Sequence, residues 1–207
     1  MNPADNRENL PDNYISDILG NLPEKQKARF RDGAWVIPED AIYGNFAESM
    51  ILREEDLPEE FDKYSSGQDF GLNIVNVKIG WKGNTVYVLA DHGAFNVPTR
   101  TFNQALTERN WFTVDMPVYC DPAGGERIQE VTNGTKANNS VESGIDHICA
   151  LIERNNFFVS EKCAGVLSEI WDYRRDEAGQ IVKTNDHYMD AMRYAIFSDV
   201  QRGVVIL

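Results

Sequence analysis

From Lys63 onward the apolar positions fall into two alternating rhythms. Ile74 to Trp81 alternates residue by residue, with Ile74, Asn76 and Lys78 on one side and Val75, Val77 and Ile79 on the other, which is the period of a strand. Tyr64 to Gly71 predicts a shorter strand before it, and Thr85 to Ala90 another after the turn Lys82-Gly83-Asn84. Three antiparallel strands in a meander follow from this. The spacing then predicts a helix from about Thr99 to Arg109 and a short apolar strand at about Pro117 to Cys120 that delivers Asp121. Pro122 and Gly124-Gly125 break that strand, and a helix is expected from Glu126 to about Asn133. Val141, Ile145, Ile148 and Ile152 recur at helical spacing behind Ser140, an N-cap type, predicting a helix to about Asn155. A last strand is expected at Phe157 to Ser160, a helix from Lys162 to about Tyr173, and a polar loop or small hairpin from Arg174 to Lys183 turning at Ala178-Gly179. The chain closes with a helix from about Asp186 to Gln201, whose buried stripe is Tyr188, Ala191, Met192, Ala195 and Ile196. This order predicts an α/β fold with a mixed sheet, a three-strand antiparallel meander followed by β-α units, and helices on both faces.

Residues 1–62 read differently. Pro3, Pro11, Pro23, Pro38 and Pro58 punctuate them, and short helices are expected near Asp12 to Leu22 and from about Glu24 to Asp32, ending at Gly33. The expectation is a connector or appendage over 1–62 and one main domain over 63–207.

Composition narrows the function classes. At 207 residues a core can form without staples. Cys120, Cys149 and Cys163 are odd in number and lack C-x-x-C spacing, so free thiols are expected and a structural zinc site is not. The N-terminus has no apolar signal segment and no run approaches a membrane span, so a soluble, cytoplasmic protein without a membrane partner is expected. The net charge of -13 argues against tight stand-alone DNA binding at physiological salt. Its distribution softens the objection: nine carboxylates between Glu39 and Asp62 stand against Arg53 alone. Lys25, Lys27, Arg29 and Arg31 form a basic run, and Arg127, Lys136, Arg154, Lys162, Arg174, Arg175, Lys183 and Arg193 are spread over the second half.

The candidate chemistry lies in four residues far apart in the chain. Asp69 is bracketed by Gly67 and Gly71, which let another backbone or a ligand approach. Asp121 ends a strand before Pro122, where ligands bind in open α/β sheets. His187 and Asp190 are neighbours on one helix face, three positions apart. Gathered without a cation, two such carboxylates about 4 Å apart would repel by on the order of 4 kcal/mol at an effective dielectric near 20. Two Mg²⁺ or Mn²⁺ ions remove that penalty and suit phosphodiester hydrolysis, with Asp69 bridging both, Asp121 and Asp190 each holding one, and His187 ligating or handling a proton. Taken singly, each residue also suits a turn, a cap or a helix N-terminus. His92 and His147 read as structural or surface residues, and Glu126 and Glu169 as supporting carboxylates behind the ligands. No Ser/His/Asp order, G-x-S-x-G or G-x-x-x-x-G-K-[ST] is present.

Four segments carry a resemblance: Arg31-Asp32-Gly33-Ala34-Trp35 with Ile42-Tyr43, Gly67-Gln68-Asp69-Phe70-Gly71, Tyr119-Cys120-Asp121-Pro122-Ala123, and Asn185-Asp186-His187-Tyr188-Met189-Asp190-Ala191-Met192-Arg193-Tyr194. In this order they resemble the nuclease domain of the large terminase subunit of tailed bacteriophages, which has a ribonuclease H-like fold. H-x-x-D-A-x-R-Y is the most specific of the four. The resemblance implies Asp69, Asp121 and Asp190 as an acidic triad with His187 beside the metals, and Lys136, followed by Ser140-Val141 and Gly144-Ile145, also resembles the family's pattern. Arg174, Arg175 and Lys183 are further DNA-contact candidates.

The resemblance further implies a metal-dependent endonuclease that cuts concatemeric double-stranded phage DNA with little sequence preference. Family members carry an ATPase with a phosphate-binding loop, which this chain lacks, so an excised or separately encoded nuclease half that does not translocate DNA is expected. Its implied partners are double-stranded DNA, the terminase ATPase domain, the small terminase subunit and the portal protein. Its implied setting is the host-cell cytoplasm, as a monomeric domain and not a virion structural protein. A junction-specific resolvase of the same fold and a docking module of the packaging motor with a latent nuclease are the alternatives.

Overall fold

The computed structural model of the chain describes residues 40–203. Strands β1 (Ile51–Leu52), β2 (Lys63–Asp69), β3 (Asn73–Lys82), β4 (Thr85–Phe95), β5 (Val118–Cys120), β6 (Gly134–Lys136) and β7 (Phe157–Ser160) form one seven-stranded sheet in the order β1-β7-β4-β3-β2-β5-β6. β2, β3 and β4 are the antiparallel meander that the alternation predicts. β5 runs parallel to β2, β6 to β5, β7 to β4 and β1 to β7, so the sheet is mixed.

Helices α1 (Thr99–Glu108), α2 (Val141–Glu153), α3 (Ala164–Glu169) and α4 (His187–Gln201) cover both faces. The pleat of β3 decides which core each side chain joins. Val75, Val77 and Ile79 are buried with Ile145 and Ile148 of α2 and Ala191, Met192 and Ala195 of α4, whereas Ile74 points the other way and packs on Phe102 and Leu106 of α1.

Three elements differ from the sequence reading. In place of a helix from Glu126 to Asn133 there is a 3-10 stretch over Pro122–Glu130, interrupted at Gly125 (φ 55°, ψ -120°) and followed by β6. A residue at that left-handed φ cannot continue a helix, and glycine adopts it at no steric cost. The helix expected from Lys162 contracts to α3. The last helix is buried on nearly every side rather than along one stripe, because Arg193, Tyr194, Phe197 and Ser198 are also covered.

The helices expected near residues 12–22 and 24–32 lie outside the described residues. Within the described part of the segment read as a connector, Tyr43, Phe46 and Met50 join the main core. Phe46 meets Phe157 edge-on at 5.8 Å, and β1 extends the sheet beyond β7.

Two features seat α4 on the sheet. At Gly67 an added Cβ would lie 1.8 Å from the Ala191 carbonyl oxygen and 2.9 Å from the Ala195 nitrogen, so β2 and α4 touch backbone to backbone there. We expect Gly67→Ala to cost about 1–3 kcal/mol or more by overpacking, visible as a lowered thermal midpoint. An unchanged midpoint would show that the helix does not rest there.

At the far end of α4, the fully buried Asp199 carboxylate accepts from Lys63 Nζ (2.5 Å), Ser65 Oγ (2.6 Å), Trp81 Nε1 (2.9 Å) and Tyr119 OH (2.7 Å). One side chain thus ties α4 to β2, β3 and β5.

Candidate functional site

β2 and β5 are parallel neighbours, with Gln68 paired to Cys120, so their C-terminal ends carry Asp69 and Asp121 to the same edge of the sheet. The Asp121 backbone N–H donates to the Gln68 carbonyl at 2.9 Å. Its carboxylate Oδ1 accepts from the Ala123 N–H at 2.9 Å, capping the 3-10 turn that follows. Because α4 lies on β2 at Gly67, its first turn reaches the same edge. There His187 Nδ1 stands 3.0 Å from Asp69 Oδ2.

Burial pushes the Asp69 carboxyl up from 3.8 to about 6; the hydrogen bond from His187 opposes this, while the charges of Asp190 and Asp121 add to it. Asp190 and Asp121 thus lie near enough for their charges to act on Asp69.

Asp190 already has cationic company. Its Oδ1 accepts from Arg193 Nη2 at 2.7 Å, and Lys183 Nζ lies 3.6 Å from its Oδ2 and 3.0 Å from Asp186. Arg193 is itself buried, its guanidinium 4.8 Å from the Tyr194 ring and its stem filling the space beside Gly144. The arginine of the H-x-x-D-A-x-R-Y segment is thus an internal counter-charge for the aspartate. Its spacing of three from Asp190 was the available signal.

Glu169 occupies the base of the same helix. Its Oε2 accepts from the backbone N–H groups of Tyr188 (2.8 Å) and Met189 (3.2 Å), using two of the four N–H groups that a helix start leaves unpaired. Burial pushes this carboxyl up from 4.5 to about 8; the two N–H groups pull it down and Asp186 and Asp190 raise it. A raised carboxyl keeps its proton in the folded state where the unfolded chain has lost it, so it makes stability fall as pH rises from about 4.5 to 8. We expect Glu169→Gln, which keeps an oxygen acceptor, to flatten the decline of the thermal midpoint between pH 6 and 8 in EDTA. An unaltered slope would contradict that assignment.

The basic candidates part company. Lys136 pairs in register with Cys120 on β6 and is exposed one residue from Asp121, and Lys183 stands against Asp190. The Arg175 side chain is engaged by Glu142 at 2.5 Å, and the backbone of Arg174 forms an isolated antiparallel bridge with Ala41. His92 stacks on Phe102 at 5.4 Å beside Arg109, and His147 lies 6.2 Å from the Phe197 ring.

The donor set of carboxylate oxygens and one imidazole fits hard divalent cations in chemistry and in charge. In their described positions, however, no group of three or more His, Cys, Asp or Glu side chains among the described residues is arranged to hold a metal ion. Cys120, Cys149 and Cys163 are free thiols, and among the described residues no helix is long and apolar enough to cross a membrane.

Several known proteins are similar to this chain. A family model described as "Terminase RNaseH-like domain" matches residues 123–199. The large terminase subunits of Enterobacteria phage LP7 and Salmonella phage P22 are each 26% identical over 208 residues, covering 90% of this chain. The chain spans less than half the length of these curated relatives, 43% and 41% respectively.

Among solved structures, the P22 large terminase nuclease domain superposes with a TM-score of 0.65 at 23% identity, covering 80% of this chain and 94% of that one. The nuclease domain of the SPP1 large terminase, solved with bound Mn, gives a TM-score of 0.56 at 16% identity over 72% of this chain and 97% of that one. The mixed sheet flanked by helices is thus the ribonuclease H-like fold. Residues 123–199 thus resemble the terminase ribonuclease H-like domain, and the chain is similar over 90% of its length to large terminase subunits and shares the fold of the P22 nuclease domain.

Proposed function

We propose that the chain is a divalent-metal-dependent endonuclease that cuts concatemeric double-stranded phage DNA during genome packaging, with little sequence preference. The observation that carries the reading is the convergence of Asp69 from β2, Asp121 from β5 and His187 with Asp190 from α4 at one sheet edge, with Asp69 already bonded to His187. The Mn bound to the SPP1 nuclease domain supports the choice of cation.

Asp69, Asp121 and Asp190 would hold two Mg²⁺ or Mn²⁺ ions. Bound there, such cations neutralise phosphate charge and lower the pKa of water. His187 orients the Asp69 carboxylate through Nδ1, leaving Nε2 to exchange a proton with water or substrate. Lys136 and Lys183 flank the carboxylates and offer charge to the DNA backbone.

The partners in this reading are double-stranded DNA, the terminase ATPase region, the small terminase subunit and the portal, in the host-cell cytoplasm. Supercoiled plasmid incubated with the protein and Mn²⁺ should become nicked and then linear, and EDTA should stop it. Plasmid left intact across Mg²⁺ and Mn²⁺ concentrations would overturn the reading.

A second reading, a docking module of the packaging motor with a latent nuclease, draws on the pairing of Asp190 with Arg193 and Lys183. Calorimetry with no Mn²⁺ binding would favour it.

A further inference from the structure

Arg127 is held close to Asp69 in the chain fold by two side chains, Phe70 and Thr99. Its guanidinium carbon lies 4.7 Å from the centre of the Phe70 ring, and its Nε donates to Thr99 Oγ1 at 2.9 Å. Thr99 is buried at the first turn of α1. Phe70 is the residue after Asp69, and Arg127 sits in the 3-10 stretch that Asp121 caps.

Gly124 makes the arrangement possible. A Cβ there would lie 2.2 Å from Phe70 Cδ2 and 2.3 Å from Cε2, so only glycine lets the ring lie flat against that stretch. Phe70 in turn packs against two of the smaller cores, the one that holds Val118 and Cys120 and the one that holds Phe102 and Leu106.

An arginine bonded through Nε and stacked on a ring keeps its two terminal nitrogens free as a fork. Among the described residues no carboxylate lies within 4 Å of this one, unlike Arg53, Arg175 and Arg193, which each have an acidic partner. A half-buried guanidinium pre-oriented on Phe70, the residue that follows Asp69, and paired with no carboxylate among the described residues, fits a tetrahedral oxyanion presented by a ligand.

We propose that Arg127, positioned by Phe70 and Thr99, grips a backbone phosphate of duplex DNA flanking the bond to be cut. This rests on the nuclease reading for the location of that bond, while the phosphate contact itself can be read without cleavage.

The test is anisotropy of a fluorescein-labelled DNA duplex titrated with the protein in EDTA at several low salt concentrations. Arg127→Gln should weaken binding about tenfold and make the dependence of log K on log salt shallower by about 0.9. Arg127→Lys should retain the salt dependence but not the full affinity, since the charge remains and the fork is lost. Phe70→Leu should weaken binding with the charge intact.

In the cleavage assay Arg127→Gln should raise KM more than it lowers kcat. Wild-type affinity and salt dependence in Arg127→Gln, or no measurable duplex binding by the wild type, would overturn the proposal. Failure of the nuclease reading would appear separately, as a wild type that binds duplex and never cuts it.

Discussion

Asp69→Asn should abolish DNA cleavage while leaving the metal-free protein at least as stable as the wild type. Loss of activity is expected because asparagine cannot supply the charge that holds a hard cation. The scale is roughly a thousand-fold or more, comparable to removing one pre-organised electrostatic contact from a transition state.

The stability half of the expectation comes from burial. Asp69 is 8% exposed, and burial together with Asp190 and Asp121 holds its carboxyl at about 6 against an ordinary 3.8. Between those values the folded protein keeps a proton that the unfolded chain releases, so stability without metal falls as pH rises through that window and the penalty is complete at pH 7. The gap between 3.8 and about 6 corresponds to on the order of 3 kcal/mol. Asparagine carries no such charge and still offers an oxygen to His187.

Thermal midpoints in EDTA at pH 5 and pH 7 check this. The wild type should lose stability between them and the variant should lose less. A variant that is inactive and also unstable at pH 7 would place Asp69 in the scaffold instead.

The second large effect concerns a residue well away from the chemistry. Asp199→Ala should destabilise the fold by about 3–5 kcal/mol, the scale for removing one partner of a buried ion pair. It strands Lys63, Ser65, Trp81 and Tyr119, all of which donate to that carboxylate. Against a total stability of roughly 5–15 kcal/mol, that would leave a large share of molecules unfolded on mild warming. Tyr119→Phe removes one donor only and should cost about 1 kcal/mol. Denaturant midpoints that are equal for Asp199→Ala and Tyr119→Phe would show that the carboxylate is not the hub of this network.

What the sequence discloses and what it hides divide along physical lines. β3 was legible because its two faces meet different cores, so Val75, Val77 and Ile79 alternate with Ile74, Asn76 and Lys78. The glycine at 67 was legible as a place of close approach, although its partner, the backbone of α4 at Ala191, was not. β1 and β6 are illegible in the sequence because two or three residues carry no period. The 3-10 stretch at Pro122–Glu130 looked helical because apolar spacing does not register a left-handed Gly125.

Asp199 follows Ala195 and Ile196 at helical spacing, on the buried stripe of α4, and a carboxylate at a core position announces a partner without naming it. Arg193 was visible only as part of a motif, and its pairing with Asp190 needed the helix in place. Tyr43, Phe46 and Met50 lie in a stretch whose acids and prolines mask the few side chains that enter the core.

For the site itself, the residue types and the ends of their elements could be read from the chain. The contact of His187 with Asp69 and the capping of α4 by Glu169 could not, because both depend on how the last helix crosses β2.

The central claim is that Asp69, Asp121 and Asp190 hold divalent cations for cutting DNA. Crystals of the wild type soaked in Mn²⁺ test it most directly, through the anomalous signal of the metal. Mn²⁺ should lie bounded by these three carboxylates, and none should bind there in Asp69→Asn treated alike. A protein that cleaves DNA in Mn²⁺ while its bound Mn²⁺ lies elsewhere would contradict it.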